Sequence, residues 1–342
     1  MTLCTGWFDP RSAEVTVRWI APLLTLFLCE SLAAQEVQLS FAWPDTLVAR
    51  VEAEGSRVRN SRDGGMDTVT WNGVYVLRAI RDGQSVHVSR TDVSYESPEY
   101  RLSSNPDIAR AYRIMHQNET AAAAMEFMIA PYKVDLRTGT VDITDVEEHR
   151  AALEEVIEPM FEEEMTAQMW RPMLSTSFLE ALYPYHAARE WSLLVGLWDG
   201  LPVGPELAGR SDDRELVRVG MGRGRTEEMD VAVALSAPET ASCSDRAGDE
   251  PACVRLRRST EPDAEQYIEA MQRHSAGSVD LESWTVRGEV ELVTEPSTLV
   301  PHRLTYSDVQ EGDSQISFDG QIMDERRPIL WKRVGTYVFR YE

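Results

Sequence analysis

The side chains able to do chemistry are spread thinly along this chain. His87, His116, His149, His186, His274 and His302 stand far apart, and no two share the i, i+4 spacing that puts a pair of ligands on one helix face. No H-E-x-x-H occurs. His149 follows Glu147 and Glu148, but neighbouring helical residues point away from one another, so a solvated helix face is expected and no metal. Cys243 and Cys253 enclose Ser244, Asp245, Gly248, Asp249 and Pro251, all turn-compatible residues. In an oxidising compartment this pair reads as a disulfide. Metal binding or redox catalysis would need further ligands or a C-x-x-C spacing.

Other motifs fall short of a site. Around Gly139, Leu136, Arg137 and Thr138 stand where a calcium loop needs ligands, so Asp135–Asp145 reads as a turn with Gly139 at positive φ. The segment Gly220-Met221-Gly222-Arg223-Gly224-Arg225 lacks the G-x-G-x-x-G spacing and the P-loop lysine, and reads as a hairpin connection. No G-x-S-x-G occurs. Carboxylates are abundant, in runs such as Glu154-Glu155 and Glu162-Glu163-Glu164. A carboxylate-dependent hydrolase needs only two acids at a set separation, which keeps that class as the alternative without choosing the pair. Nothing here calls for a cofactor.

Large flexible apolar side chains gather instead. Met160, Met165, Met169 and Met173 cluster on the central helices, with Met125 and Met128 upstream. Thioethers suit both helix core and adaptable binding surfaces. If a ligand exists, it is apolar or proteinaceous and sits where helices meet sheet, bordered by Phe161, Met165, Met169 and Phe178.

The elements that must position these residues are mostly strands. Alternation marks strands from Leu47 to Val58, from Met66 to Ile80 and from Ser85 to Tyr95, with Asp82-Gly83 as a hairpin turn and Asp63-Gly64-Gly65 as another. Asn105-Pro106-Asp107 opens a helix carrying Ile108, Ala111, Tyr112 and Met115. Thr144-Asp145-Val146-Glu147 has the form of a capping box, and the helix it opens should be divided at Pro159. A further helix runs from Thr176 and is expected to stop at Pro184. Strands return at Glu215–Val219, Met229–Leu235, Cys253–Arg257, Trp284–Val293, Leu299–Tyr306, Ser314–Ile322 and Trp331–Tyr341, interrupted by one helix over Pro262–His274. The fold class is therefore α+β, mostly antiparallel sheet with a few packed helices. Residues 35–190 and 211–342 read as two similar β-rich halves, joined by a Gly/Pro-rich linker at 191–210.

Charge and leader bound the setting. Val17 to Gln35, VRWIAPLLTLFLCESLAAQ, has a basic flank at Arg18, a short apolar run and a small-residue cleavage site, so residues 1–34 read as a signal peptide. Its apolar run is shorter than the roughly 20 residues a transmembrane helix needs. Initiation near Val15 or Val17 and a long n-region are the two readings of what precedes it. Export to the periplasm or the exterior follows. The net charge of −23 repels phosphate backbones, so nucleic acid is not an expected partner. Lys133 and Lys332 are the only lysines among 34 basic residues, a bias that GC-rich codons explain and that salt adaptation would also produce.

The strand run Leu47–Tyr95, the helices after Thr144 and the strand run Trp284–Tyr341 resemble bacterial envelope proteins of the lipoprotein-carrier type, which fold a curved half-barrel around helices. Such carriers are shorter, so the resemblance implies a duplicated or analogous fold. It implies an apolar ligand. The function expected of the chain is that of a non-enzymatic envelope scaffold or binder of an apolar ligand or protein, with a carboxylate-dependent secreted hydrolase as the alternative.

Overall fold

The computed structural model describes residues 37–60, 66–96, 117, 120–161, 168, 170–203, 213–222, 225–243, 252–274, 279–318, 321–322 and 327–341. The leader, the turn at Asp63–Gly65, the helix expected after Asn105, Met165 and Met169 lie outside them.

Period-two alternation builds the sheet. Strand β1 (Thr46–Asn60) buries Leu47, Ala49, Val51 and Ala53, and β2 (Met66–Asp82) buries Val69, Trp71, Tyr75, Leu77 and Ala79, so one face of each is apolar. Gly83 at φ 57° makes the turn into β3 (Ser85–Glu96). One extra residue in β3 opposes Val74–Val76, and Asp92 takes φ 52° there. That bulge shifts the inward series from Val86, Val88 and Arg90 to Val93 and Tyr95. Two short strands follow, β4 (Tyr132–Asp135) and β5 (Val141–Ile143), joined through Gly139 at φ 70°.

The later strands are β6 (Asp213–Gly222), β7 (Arg225–Leu235), β8 (Glu239–Ser242), β9 (Ala252–Pro262), β10 (Val279–Thr294), β11 (Pro301–Phe318), β12 (Gln321–Ile322) and β13 (Arg327–Tyr341). These 13 strands join one sheet in the order β5-β4-β3-β2-β1-β13-β11-β10-β9-β7-β6, with β8 on β9 and β12 on β11. Neighbours pair antiparallel throughout. The fold is thus α+β, dominated by antiparallel sheet.

The last strand lies between the first and the eleventh. Because β13 pairs with β1, both expected halves are strands of one sheet, and Gln38–Glu342 is one compact unit. The boundary sought at 191–210 falls inside that unit. Residues 192–196 form a π-helical turn burying Leu193, Leu194 and Val195, so apolar burial outweighs the Gly/Pro signal there.

One row across four strands reads Tyr306–Gly335–Gly55–Trp71. A Cβ on Gly335 would meet the Tyr306 ring at 2.7 Å, and one on Gly55 would meet Trp71 at 2.3 Å. The two glycines let flanking aromatic rings lie flat over the middle of the sheet.

Helices α1 (Val146–Ile157) and α2 (Thr176–Trp191) pack over this face, and α3 (Ala264–His274) covers a separate cluster built on Met229, Val231, Val233, Tyr267, Leu281 and Trp284. Residues 120–127 are helical as well.

Three local expectations need correction. The capping box does not form: Asp145 is the N-cap in a left-handed conformation (φ 53°) without a side-chain bond, and Glu147 instead accepts from Thr176 and pairs with Arg150. Proline 159 does end α1, which gives way to a 3₁₀ turn over Glu158–Met160. Proline 184, however, sits inside α2, which continues to Trp191 because Leu179, Tyr183, Ala187 and Trp191 bury one continuous stripe. Finally, His149 is not on a solvated face. It is half-buried, hydrogen-bonded to the Tyr183 hydroxyl at 3.0 Å and to the Met128 carbonyl.

Candidate functional site

Where α2 crosses the sheet, the core turns ionic. On α2 and its π-helical end, His186, Arg189, Glu190, Leu193 and Leu194 recur at three- and four-residue spacing and share one face. Opposite them stand Tyr75 on β2, Arg90 on β3, Leu304 and Tyr306 on β11, and Tyr337 and Phe339 on β13. Glu126 and Ile129 close the side. Together they line a cavity of about 40 Å³. That volume holds a few waters and is far below the roughly 300 Å³ of a small-molecule site.

Two ionic clusters flank it. In the first, Arg90 pairs with Glu190, donates to the Phe127 carbonyl and lies 4.5 Å from the Tyr75 ring centre. The Tyr132 hydroxyl donates to the other oxygen of Glu190 at 3.0 Å. In the second, Arg57 and Arg333 are direct cross-strand neighbours, an arrangement that repels on its own. Glu126 bonds both guanidinium groups, and Asp308, the cross-strand neighbour of Arg333 on its other side, accepts from it at 3.0 Å. Arg189 of α2 completes the cluster, donating to the same Asp308 oxygen at 2.7 Å and lying 4.5 Å over Tyr306.

Proton affinities follow from these contacts. Burial alone would raise the Glu126 carboxyl, but Arg333 and Arg57 outweigh it and hold the group well below the ordinary carboxylate range. Burial pushes the Tyr75 and Tyr132 phenols up, so both stay protonated. Burial, with Arg333, Arg189 and Arg57 adding to it against Glu126, lowers His186 to about 4, which keeps it neutral at physiological pH. Arg57, Arg90, Arg189 and Arg333 thus share the carboxylates of Glu126, Glu190 and Asp308.

Among the described residues, the lining contains no serine, threonine, cysteine or lysine. Its two carboxylates, Glu126 and Glu190, are engaged by arginines, and Glu126 is kept ionised, the opposite of what a general acid needs. The arrangement suits recognition of a small polar or anionic group next to an apolar one.

The residues singled out in the sequence lie elsewhere. Phe161 stacks on Trp170 at 5.7 Å and packs against the core from the end of the 3₁₀ turn. Phe178 on α2 is 38% exposed. Neither lines the cavity, and Met165 and Met169 are outside the described residues. The residues of α2 and its π-helical end that line it come after Pro184, beyond the point where the helix was expected to stop. Their signal was the i, i+4 series Leu179, Tyr183, Ala187, Trp191 running through the proline.

At the strand-rich far side, Cys243 and Cys253 are joined, with Cα atoms 5.1 Å apart. Among the described residues, no helix is long and apolar enough to cross a membrane.

No protein-family model matches the chain. No curated protein matches it either. A solved structure titled "Lipid-protein interactions in lipovitellin" is similar over 87% of this chain at 10% identity, with a TM-score of 0.37. The chain spans about a quarter of that protein's length, 25%. A likeness of that size carries no inference about ligand or activity.

Proposed function

We propose that the protein is an exported, non-enzymatic binder of an apolar ligand bearing a polar or anionic head, held where α2 meets the sheet. The observation that carries the reading is the mixed lining of the cavity: Arg90, Arg189 and His186 stand beside Leu193, Leu194, Leu304 and Phe339 in one space. The guanidinium groups of Arg90 and Arg189 in the lining favour an anionic head such as a carboxylate. At about 40 Å³ the space accepts the head group alone, so a bound chain requires α2 to shift away from the sheet. Arg189 is the guanidinium best placed to leave Asp308 and take up the head as the helix shifts, because its side chain keeps 23% exposure whereas Arg90 keeps 6%. Export rests on the leader at residues 17–35.

The test is equilibrium binding of a fluorescent fatty acid to wild type, to Arg189→Gln and to Phe178→Ala. Wild type and Phe178→Ala are expected to bind alike, and Arg189→Gln to bind at least tenfold more weakly. No binding by wild type rejects the fatty-acid ligand; equal binding by folded Arg189→Gln rejects this site. N-terminal sequencing of protein from its host is expected to begin at Ala34 or Gln35. A chain beginning near Met1 rejects export.

A further inference from the structure

The disulfide has company. The Cys243 and Cys253 sulfurs and a ring nitrogen of His302 all lie within 4.8 Å of one another. Cys253 is fully buried, Cys243 is 7% exposed and the His302 side chain 13% exposed. His302 is also held in place. Its Nε2 lies 3.3 Å from Glu295 Oε1, the other Glu295 oxygen accepts from the Thr298 hydroxyl at 2.8 Å, and the imidazole meets the Tyr341 ring edge-on at 5.3 Å. The extra ligand that the cysteine spacing lacks in sequence is therefore supplied by His302 at the start of β11, with Glu295 reaching it from the loop before that strand.

We propose that reduction of Cys243–Cys253 uncovers a zinc site formed by both sulfurs and His302, with Glu295 as the outer partner that orients the imidazole. Two thiolates and one imidazole form the donor set of three-protein-ligand zinc sites, with water in the fourth position. With bonds of about 2.0–2.3 Å to a tetrahedral ion, ligand atoms stand about 3.5 Å apart, so the group needs to rearrange by only about 1 Å. Nε2 is engaged by Glu295, which leaves Nδ1 for the metal and reproduces the carboxylate–histidine–metal arrangement. The chemistry balances with a dithiol as reductant. It supplies two electrons and two protons, the S–S bond breaks to two thiols, and the dithiol leaves as its own disulfide. The divalent ion then displaces both thiol protons to solvent and bonds the two thiolates. The oxidised pair has no thiolate to offer, so metal binding here reports its redox state.

The experiment uses the full chain with Cys4 and Cys29 replaced by serine, reduced with a dithiol, freed of it without air, and titrated with cobalt(II) as a spectroscopic probe before displacement by zinc. The reduced wild type is expected to give a thiolate-to-cobalt charge-transfer band at one equivalent that zinc abolishes; the oxidised chain gives none. Cys253→Ser should lose the band, and Glu295→Gln should weaken affinity about 10–100-fold. His302→Ala should weaken it at least as much. Should His302→Ala fail to fold, zinc protection of wild-type Cys243 and Cys253 from alkylation, read residue by residue by mass spectrometry, decides the matter. No thiolate band from the reduced wild type, affinity unchanged in folded His302→Ala, or no protection of the two cysteines overturns the proposal.

Discussion

Glu190 of α2 pairs with Arg90 of β3, with side-chain exposures of 10% and 6%, while its neighbour Arg189 reaches Asp308 on β11. Three strands, β2, β1 and β13, lie between those two anchors in the sheet. Two consecutive helical residues thus span the middle of the sheet and fix the helix above it. The α2 seam is ionic at its centre and apolar at its ends, with Leu179 before the pair and Leu194 after it.

The first prediction follows from that pair. Glu190→Gln keeps the shape but leaves the Arg90 guanidinium buried without its counter-charge, and the Tyr132 hydroxyl with a poorer acceptor. Breaking a buried pair in this way costs about 3–5 kcal/mol. Removing Glu291 from its half-exposed pair with Arg257 should cost far less, because solvent screens that pair. Urea denaturation of both variants checks the contrast. Equal small losses would mean that the helix is not held by Arg90.

Glycine 335 should resist even a methyl group. Its substituent would meet Tyr306 at 2.7 Å, and that ring is confined by Arg189 at 4.5 Å and Arg333 at 5.3 Å. Gly335→Ala is expected to lose about 1–3 kcal/mol through overpacking. Gly83 has nothing within 4 Å of an added Cβ, so Gly83→Ala should lose only the left-handed backbone term, about 1–2 kcal/mol. Near-UV circular dichroism distinguishes the two, because only the Gly335 variant should disturb aromatic packing.

The strands were legible because their alternation is strict: Leu47, Ala49, Val51 and Ala53 lie on one face of β1 in sequence and in space. Their joining into one sheet was not, since the β13–β1 pairing links opposite ends of the chain and leaves no local mark. The helical side of the site was hidden by Pro184, whose penalty for helix is local while the burial that overrides it is tertiary. The charged lining was hidden for another reason. Arg57 and Arg333 sit at inward positions of their strands, where alternation alone predicts apolar residues, and only the three-dimensional placement of Glu126 accounts for them.

Reducing the disulfide should weaken the fold without abolishing it. Cys243–Cys253 closes a loop of sequence separation 10, for which the chain-entropy model gives about 2–3 kcal/mol. The bridge packs with Val293 in a small cluster separate from the main core, so α1, α2 and their sheet face should persist. Thermal unfolding with and without a reductant is the measurement. Complete loss of secondary structure on reduction at room temperature would contradict the placement of the bridge at the margin.

The last prediction concerns acid. His149 and His186 both have pKa values lowered to about 4, mainly by burial, against an ordinary value of 6.5. Between those limits the unfolded chain binds protons that the folded chain refuses, so stability falls as pH drops from about 6.5 to about 4. Each histidine contributes at most about 1.4 kcal/mol per pH unit in that window, less for His149, which keeps some contact with water. Glu126 acts later. Its folded value lies below the ordinary carboxylate range, so its contribution is present above about pH 4.5 and is lost only as pH falls further. The net charge of −23 works the other way, since protonating surface acids relieves repulsion. The comparison of wild type with His186→Gln separates the two effects, because the surface acids are common to both. Denaturant midpoints at pH 7, 5.5 and 4.5 should fall more steeply for wild type than for the variant. Parallel curves would show that His186 is not held neutral by its surroundings.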